Sequence, residues 1–350
     1  MILIFSYPHQ TTTQPYSYSI CTGGIYSNQK PKKIEPSPCL VLLFRCKPTK
    51  RDKSMNWEDK LISLYLIICN EYQDIIHPHV ERFTNGKNIS FTDEEVMAIY
   101  CYGILRGYRT ISVIHRYAQD HLSDYFPKLC GYAAFVHRVN KLSNGFIALI
   151  SFLQTKKISA DDDSVYLIDS FPITLAKNNY AYTAKVAPEL ASKSYNSTKK
   201  MYYYGVKAHV VARKREASLP DIEIIFIEEA KRQDGPVFDQ IRPMLTDNLL
   251  FGDQAYKRPD EDKVELEQEL KVLTPIKKQR GQKELSAEDK KYSNAVSRMR
   301  QPIEALFGWL NKVTGIEDAS NVRSSKGLLT HIYGRLAAAM MLRSYPELGF

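Results

Sequence analysis

The chain has 350 residues, of which 44% are hydrophobic and 25% charged, an ordinary globular mixture that excludes a peptide hormone, a disulfide-stapled toxin, a fibre and wholesale disorder. Lys plus Arg outnumber Asp plus Glu by 48 to 39, a net charge of +9, and such a surplus favours a polyanionic partner without naming it. The six cysteines all lie within the first 130 residues with no Cys-x-x-Cys pair, which removes zinc ribbons and redox motifs. The longest apolar run, 61–69, is far too short to span a membrane, and the opening residues lack the basic start and small-residue cleavage site of a secretory signal. A reducing cytoplasm fits best.

Residues 1–54 hold six of the seventeen prolines, a Thr/Ser/Tyr-rich opening and no lasting periodicity, and read as a disordered leader. Met55 opens a segment of different character, so the leader is read as a gene-model extension with Met55 as the natural start. From 57 to about 153 the pattern is helical. Thr92 with Glu95 forms a capping box ahead of Val96, Ile99, Tyr100, Ile104 and Leu105, which share one helical face. Further helices are expected at 110–122, at 132–142 with Phe135, His137, Arg138 and Lys141, and at 146–153. Short helices with tight joints and exposed Arg and His suit a helix-turn-helix type DNA-binding module, and equally a helical bundle with a solvated basic face.

After Asp161 the rhythm changes. Strands are expected at 165–171, 202–211 and 222–227, then a helix from Asp234, a fourth strand at 249–253, a helix at 260–270, a fifth strand at 271–276 and helices to Arg343. The order βββαβαβα is that of a ribonuclease-H-like mixed α/β sheet flanked by helices. The expected domains are the leader, an all-helical DNA-binding domain at 55–160 and a catalytic domain at 161–350.

In such a sheet the first and fourth strands are parallel neighbours, so acids at their ends sit side by side. Asp169 and Asp253 occupy those ends after apolar stretches, where a carboxylate is costly unless compensated. A late helix presents Glu304, with Ile303, Leu306, Phe307 and Leu310 expected to pack on the sheet. Three converging carboxylates repel one another unless divalent cations relieve them, and oxygen ligands without His or Cys select Mg²⁺, or Mn²⁺, over zinc. Two ions roughly 3.5–4 Å apart could activate a water or 3′-hydroxyl and stabilise the leaving oxygen of a phosphodiester. Taken singly, each acid has a plainer reading: Asp169 and Asp253 as strand-end turn residues, Glu304 as an i,i+4 partner of Arg300.

Tyr166-Leu167-Ile168-Asp169-Ser170, Leu250-Phe251-Gly252-Asp253-Gln254-Ala255-Tyr256 and Arg300-x-x-x-Glu304-Ala305-Leu306-Phe307-Gly308-Trp309-Leu310 resemble the three acidic blocks of DDE transposases from bacterial insertion sequences, nearest to insertion-sequence family 982. Tyr204-Gly205-Val206-Lys207-Ala208-His209 resembles the Gly-x-Lys-x-His second-strand block of related transposases. The likeness covers residues 55–346. It implies that Asp169, Asp253 and Glu304 hold the catalytic metals, and that Arg300 contacts DNA near the cut. In several relatives a Tyr precedes that Arg by three residues and a Lys follows the Glu by seven. Here those places are Ser297 and Asn311, with Lys312 one residue further on, so the extended signature is incomplete.

Two basic stretches fit the same picture. Residues 177–215 carry nine cations, among them Lys199, Lys200 and Lys207, against the single acid Glu189, with tyrosines interspersed; 271–300 carries a second set. Such residues neutralise phosphates, and aromatics can stack on unpaired bases. The DNA contacts expected are therefore Arg300, Lys207, His209, Lys199, Lys200 and Lys312. Asp161 to Asp163 read as a solvated turn, Asp234 as a helix N-cap, Asp239 as a first-turn acid, and His77 and His79, which could bind metal, rather as loop or helix-boundary residues. The expectation is a transposase, a dimer on double-stranded terminal inverted repeats and target DNA. Its rivals are a metal-dependent nuclease without strand transfer and a domesticated protein that only binds DNA.

Overall fold

A computed structural model of the chain describes residues 2–5, 55–80, 90–156, 165–197, 199–245, 249–258, 270–278 and 280–350. The helix expected at 260–270 and the acidic turn at 161–163 lie outside the described residues. So does the leader, except for strand β1 (Ile2–Phe5).

Helix α1 (Trp57–Glu71) starts where Asn56 accepts the Asp59 amide, 2.8 Å away. It passes through one π turn (Tyr72–Ile76) into a 3₁₀ turn (His77–His79). Helix α2 (Asp93–Leu105) begins with the expected capping box: the Thr92 hydroxyl accepts the Glu95 amide, and the Glu95 carboxylate accepts the Thr92 amide. Every residue of α2 from Val96 to Leu105 is buried, the pattern of a helix enclosed on all sides rather than amphipathic. Helices α3 (Ile111–His121), α4 (Tyr132–Val139) and α5 (Ser143–Thr155) follow. Arg138, an exposed basic residue in the sequence reading, is spent internally. It pairs with buried Asp93 at 2.6 Å and donates to the Phe91 carbonyl.

The second half builds a curled mixed sheet. Its strands are β2 (Val165–Lys177), β3 (Ser192–Asn196), β4 (Met201–Arg213), β5 (Asp221–Glu229), β6 (Leu249–Phe251) and β7 (Lys271–Leu273). Helix α6 (Tyr180–Thr183) follows β2, α7 (Asp234–Ile241) follows β5, and α8 (Ala287–Thr314) and α9 (Ser325–Ser344) close the chain. Among the described residues the strand order is β1-β5-β4-β2-β6-β7, with β3 pairing β4 off that path. Pairs β1/β5, β5/β4, β4/β3 and β4/β2 are antiparallel; β2/β6 and β6/β7 are parallel.

Strand β2 departs from expectation. It does not stop near Asp169 but runs eight residues further, because Phe171, Ile173 and Leu175 continue the buried alternation and β4 pairs with it as far as Lys177↔Tyr203. A close crossing fixes one residue of that pairing. A Cβ at Gly205 would lie 2.1 Å from the Ile173 carbonyl oxygen, and neither backbone can yield.

Two apolar clusters sandwich the sheet. The smaller packs Ile168, Val211, Phe226 and Leu250 under Val237, Phe238 and Ile241 of α7. The larger is continuous from Leu64 and Ile99 in the first helices through Leu167, Phe171 and Val210 of the sheet to Leu306 and Leu336 in the last two. The first helices and the sheet thus share one core, and residues 55–350 with the first strand form one unit. Among the described residues no helix is long and apolar enough to cross a membrane.

Helix α8 ends in a left-handed Gly315, φ 68°, a conformation that suits glycine. Its last carbonyls are captured from two directions. Arg109, before α3, donates to the carbonyls of Lys312 and Val313, both at 2.8 Å, and buried Arg335 of α9 donates to those of Thr314 and Arg109. Two guanidinium groups therefore meet the negative end of a 28-residue helix. His331 completes the knot. Its Nδ1 accepts Arg335 Nε at 3.1 Å, so its Nε2–H donates to the Ile316 carbonyl at 2.9 Å. Burial, with Arg335 alongside, pushes its pKa down to about 3.

Two outcomes follow. Gly205→Ala should cost about 2–3 kcal/mol through overpacking against fixed backbone, seen as a lower melting temperature; an unchanged melt would refute the close crossing. The folded protein keeps His331 neutral to about pH 3, whereas the unfolded chain protonates it near 6.5. Stability from this group is therefore complete above that value and lost on acidification, at about 1.4 kcal/mol per pH unit. Melts from pH 7 to 4 should show His331→Gln with a shallower acid slope than wild type.

Candidate active site

The site arises where β2 runs out of neighbours on one edge. Strand β6 pairs with β2 only from Val165 to Leu167, ending at Leu167↔Phe251. The same edge is next engaged at Thr174, whose amide donates to the Glu317 carbonyl at 2.8 Å and whose carbonyl accepts the Ala319 amide at 2.9 Å. Between them, residues 168–173 have no strand partner on that side among the described residues. Asp169 stands in this gap.

Alternation decides which way it faces. Leu167, Phe171 and Ile173 join the large core covered by α8 and α9, while Ile168 joins the small core under α7. Asp169 shares the phase of the first set. Asp253 comes from the other side of the gap. Chain register carried two residues past Leu167↔Phe251 sets it beside Asp169, where its exposed carboxylate also accepts the Gln254 amide at 2.7 Å. The expectation that these two acids are neighbours holds; the end that matters is that of the parallel pairing, not of strand β2.

Helix α8 lies along this edge. Ile303, Leu306, Phe307 and Leu310 are buried as expected, and the Phe307 ring packs 4.8 Å from that of Phe171. Seven residues earlier, Arg300 Nη2 donates to Asp169 Oδ2 at 2.8 Å. Burial pushes the Asp169 carboxyl up from the usual carboxylate range. Arg300 and the Ser170 amide pull it back, and the charge of Asp253 adds to the push. Both partners are largely shielded, with side chains 13% and 21% exposed, so the guanidinium is a main compensation for a carboxylate poorly reached by water.

Glu304 sits one helical turn beyond Arg300, between the two points where α8 touches β2, and is exposed. It does not pair with Arg300, which is committed to Asp169. Among the described residues no three His, Cys, Asp or Glu side chains come together closely enough to hold a metal ion. The structure thus gathers Asp169, Asp253 and Arg300, and leaves Glu304 on the adjoining helix face. Ile303, Leu306 and Phe307 take the face of α8 that packs on the sheet, and Glu304 is left on the exposed face.

The other expected contacts divide. Lys199 and Lys200 are exposed on the β3–β4 connection, Lys199 pairing with Glu317 at 2.6 Å. The Lys312 side chain is exposed. Lys207 is turned to Asp234 at 2.8 Å. His209 is a correction: it is fully buried, so it cannot lie on a DNA-facing surface. It sits opposite Ser170 on the α7 side of the sheet, with the Tyr256 hydroxyl 3.5 Å and Asp234 3.9 Å from its Nδ1. Burial lowers its pKa to about 4. Asp234 is not the N-cap, which is Gln233, but the first helical residue and the partner of Lys207. Two participants escaped the sequence reading. Tyr256, fully buried beneath the acids, lay inside a recognised block but had no assigned part, and Arg109 carries no local signal for its hold on α8.

A family model described as the transposase DDE domain matches residues 160–341, slightly more than half of the chain. No curated protein and no solved structure matches it.

Replacing Arg300 by Gln should leave the Asp169 carboxylate shielded without its cation and destabilise the fold by about 1–3 kcal/mol. In thermal melts Mn²⁺ should then stabilise Arg300→Gln more than wild type, because an added cation replaces the lost charge and binds only the folded site. Equal Mn²⁺ shifts in both proteins would contradict this account of the ion pair.

Proposed function

The chain belongs to the transposases with a DDE domain, and from that premise we propose that it cuts the ends of an insertion sequence, of family 982 type, and joins them to target DNA. The observation that carries the reading is the meeting of Asp169 and Asp253 at the unpaired edge of β2, with Arg300 between strand and helix. We read the sheet as ribonuclease-H-like. The order β5-β4-β2-β6-β7, with two antiparallel pairings followed by two parallel ones, supports that topology.

The donor set suits a hard divalent cation. It consists of carboxylates, and the Asp169 carboxyl is held up by burial that a nearby positive charge would relieve. Asp169, Asp253 and Glu304 would hold Mg²⁺ or Mn²⁺, two ions in each site. Bound there, the cations supply an activated water or 3′-hydroxyl and neutralise the leaving oxygen. The chain's own residues do the rest. Strand β2 and the turn after β6 would present the two carboxylates to the cations, the charge of Asp253 already bearing on Asp169. Buried Tyr256 and His209 shut water out from below. Arg300, at the junction of acids and solvent, is placed to exchange its carboxylate for a DNA phosphate, a bidentate acceptor that guanidinium groups favour. Exposed Lys199, Lys200 and Lys312 add phosphate neutralisation. The first helices, sharing a core with the sheet, are proposed to contact terminal repeats, and two protomers to act together on the two ends.

Cleavage of duplexes carrying the element's terminal repeats tests the reading. Asp169→Asn, Asp253→Asn and Glu304→Gln should each retain DNA binding and lose nicking by roughly a hundredfold or more. Wild-type cutting by any of the three would remove that residue from the site. Pre-cleaved ends incubated with target DNA separate joining from cutting.

A further inference from the structure

The ribbon of β3 and β4 with helix α6 carries a surface that neither the acidic site nor the core explains. Tyr182, Tyr195 and Tyr202 are 58%, 51% and 46% exposed, although burying aromatic rings is ordinarily favourable. Tyr195 and Tyr202 face each other across the β3/β4 register with ring centroids 5.1 Å apart, and Tyr182 lies 5.7 Å from Tyr202. The Lys193 ammonium sits 4.0 Å from the Tyr182 ring centre and 6.0 Å from that of Tyr202. Lys177, Lys185, Lys199 and Lys200 are exposed in the surrounding segments. Negative charge is scarce. Glu189, the one acid between residues 177 and 215, accepts the Ser325 hydroxyl, and Glu317 accepts Lys199.

We propose that this tyrosine–lysine cluster is a separate binding platform for unpaired nucleotides, taking bases on the rings of Tyr182, Tyr195 and Tyr202 and the strand's phosphates on Lys193 and its neighbours. The proposal rests on the DNA-cutting function for its ligand class and adds a second site to it. Exposed ring faces stack on any base, and closely set ammonium groups without acids suit a polyanion rather than an ordinary protein surface of mixed charge. The platform stands apart from the acids. Along β2, Asp169 and Lys177, which pairs with Tyr203 next to Tyr202, are eight residues apart, about 26 Å at the usual strand rise. A strand engaged at both places would be held well away from the cut.

The test uses the full-length protein in EDTA, so that no cleavage intrudes, with fluorescence anisotropy on labelled dT20 and on a 20-base-pair duplex. The Tyr182→Ala,Tyr202→Ala double variant should lose about tenfold or more in dT20 affinity and less than twofold on the duplex, while melting within a few degrees of wild type. The Tyr182→Phe,Tyr202→Phe variant should bind as wild type does, since stacking needs the ring and not the hydroxyl. Lys193→Gln should flatten the salt dependence of dT20 binding. Equal losses on both probes, no dT20 binding by wild type, or a change in oligomeric mass on removing the rings would each overturn the platform; the last would make the patch a contact between copies. If wild type binds the duplex but dT20 is indifferent to the tyrosines, the platform alone falls. If wild type binds neither probe, the DNA-cutting function falls first.

Discussion

A carboxylate half-way along a shielded strand must be given a positive neighbour, and Arg300 meeting Asp169 is how this fold does so. Much of the surrounding architecture follows from that need. The guanidinium can reach only if α8 runs beside β2 at the right height, and the height is set by Phe307 against Phe171 two turns further on. It can enter only because β6 stops at Phe251, leaving β2 without a strand neighbour on the side away from β4 between Leu167 and Thr174, among the described residues. A longer β6 would have stabilised the sheet and closed the site.

The same helix is held at its other end by partners from distant parts of the chain. Arg109 and Arg335 bind the carbonyls of its last turn, and His331 keeps Arg335 in place by accepting its Nε–H. Near Arg300 and Glu304 the helix meets solvent and the acids; near Gly315 it is pinned by cations that also favour the end of its dipole. Fixed register at one end and a charged, partly exposed surface at the other suit a helix that presents side chains to a polyanion without itself moving.

How far the sequence reveals this varies with the kind of force involved. The capping box at Thr92, the apolar face of α8 and the adjacency of Asp169 and Asp253 were legible, because each depends on local spacing or on apolar runs that must be buried. The length of β2 was not: Pro172 and Thr174 look like an ending, and only the pairing with β4 carries the strand to Lys177. Strand β3, Ser192–Asn196, gives no apolar signal because it lies at the rim and exposes alternate residues. His209 was misplaced for a related reason. A motif states which residue types recur but not which sheet face they take, and pairing with Ser170 turns this one toward α7. Glu304 was assigned correctly to α8, and its exposed place there follows from the buried face made by Ile303, Leu306 and Phe307.

Arg109 belongs to the early helices and its grip lies on the late one, so the chain is stitched together by a link between its two halves. No clean seam divides residues 55–350, which form one unit. Exchanging residues 55–156 for another protein's helices would therefore remove a guanidinium from the last turn of a helix two hundred residues away and loosen that helix where it meets the sheet.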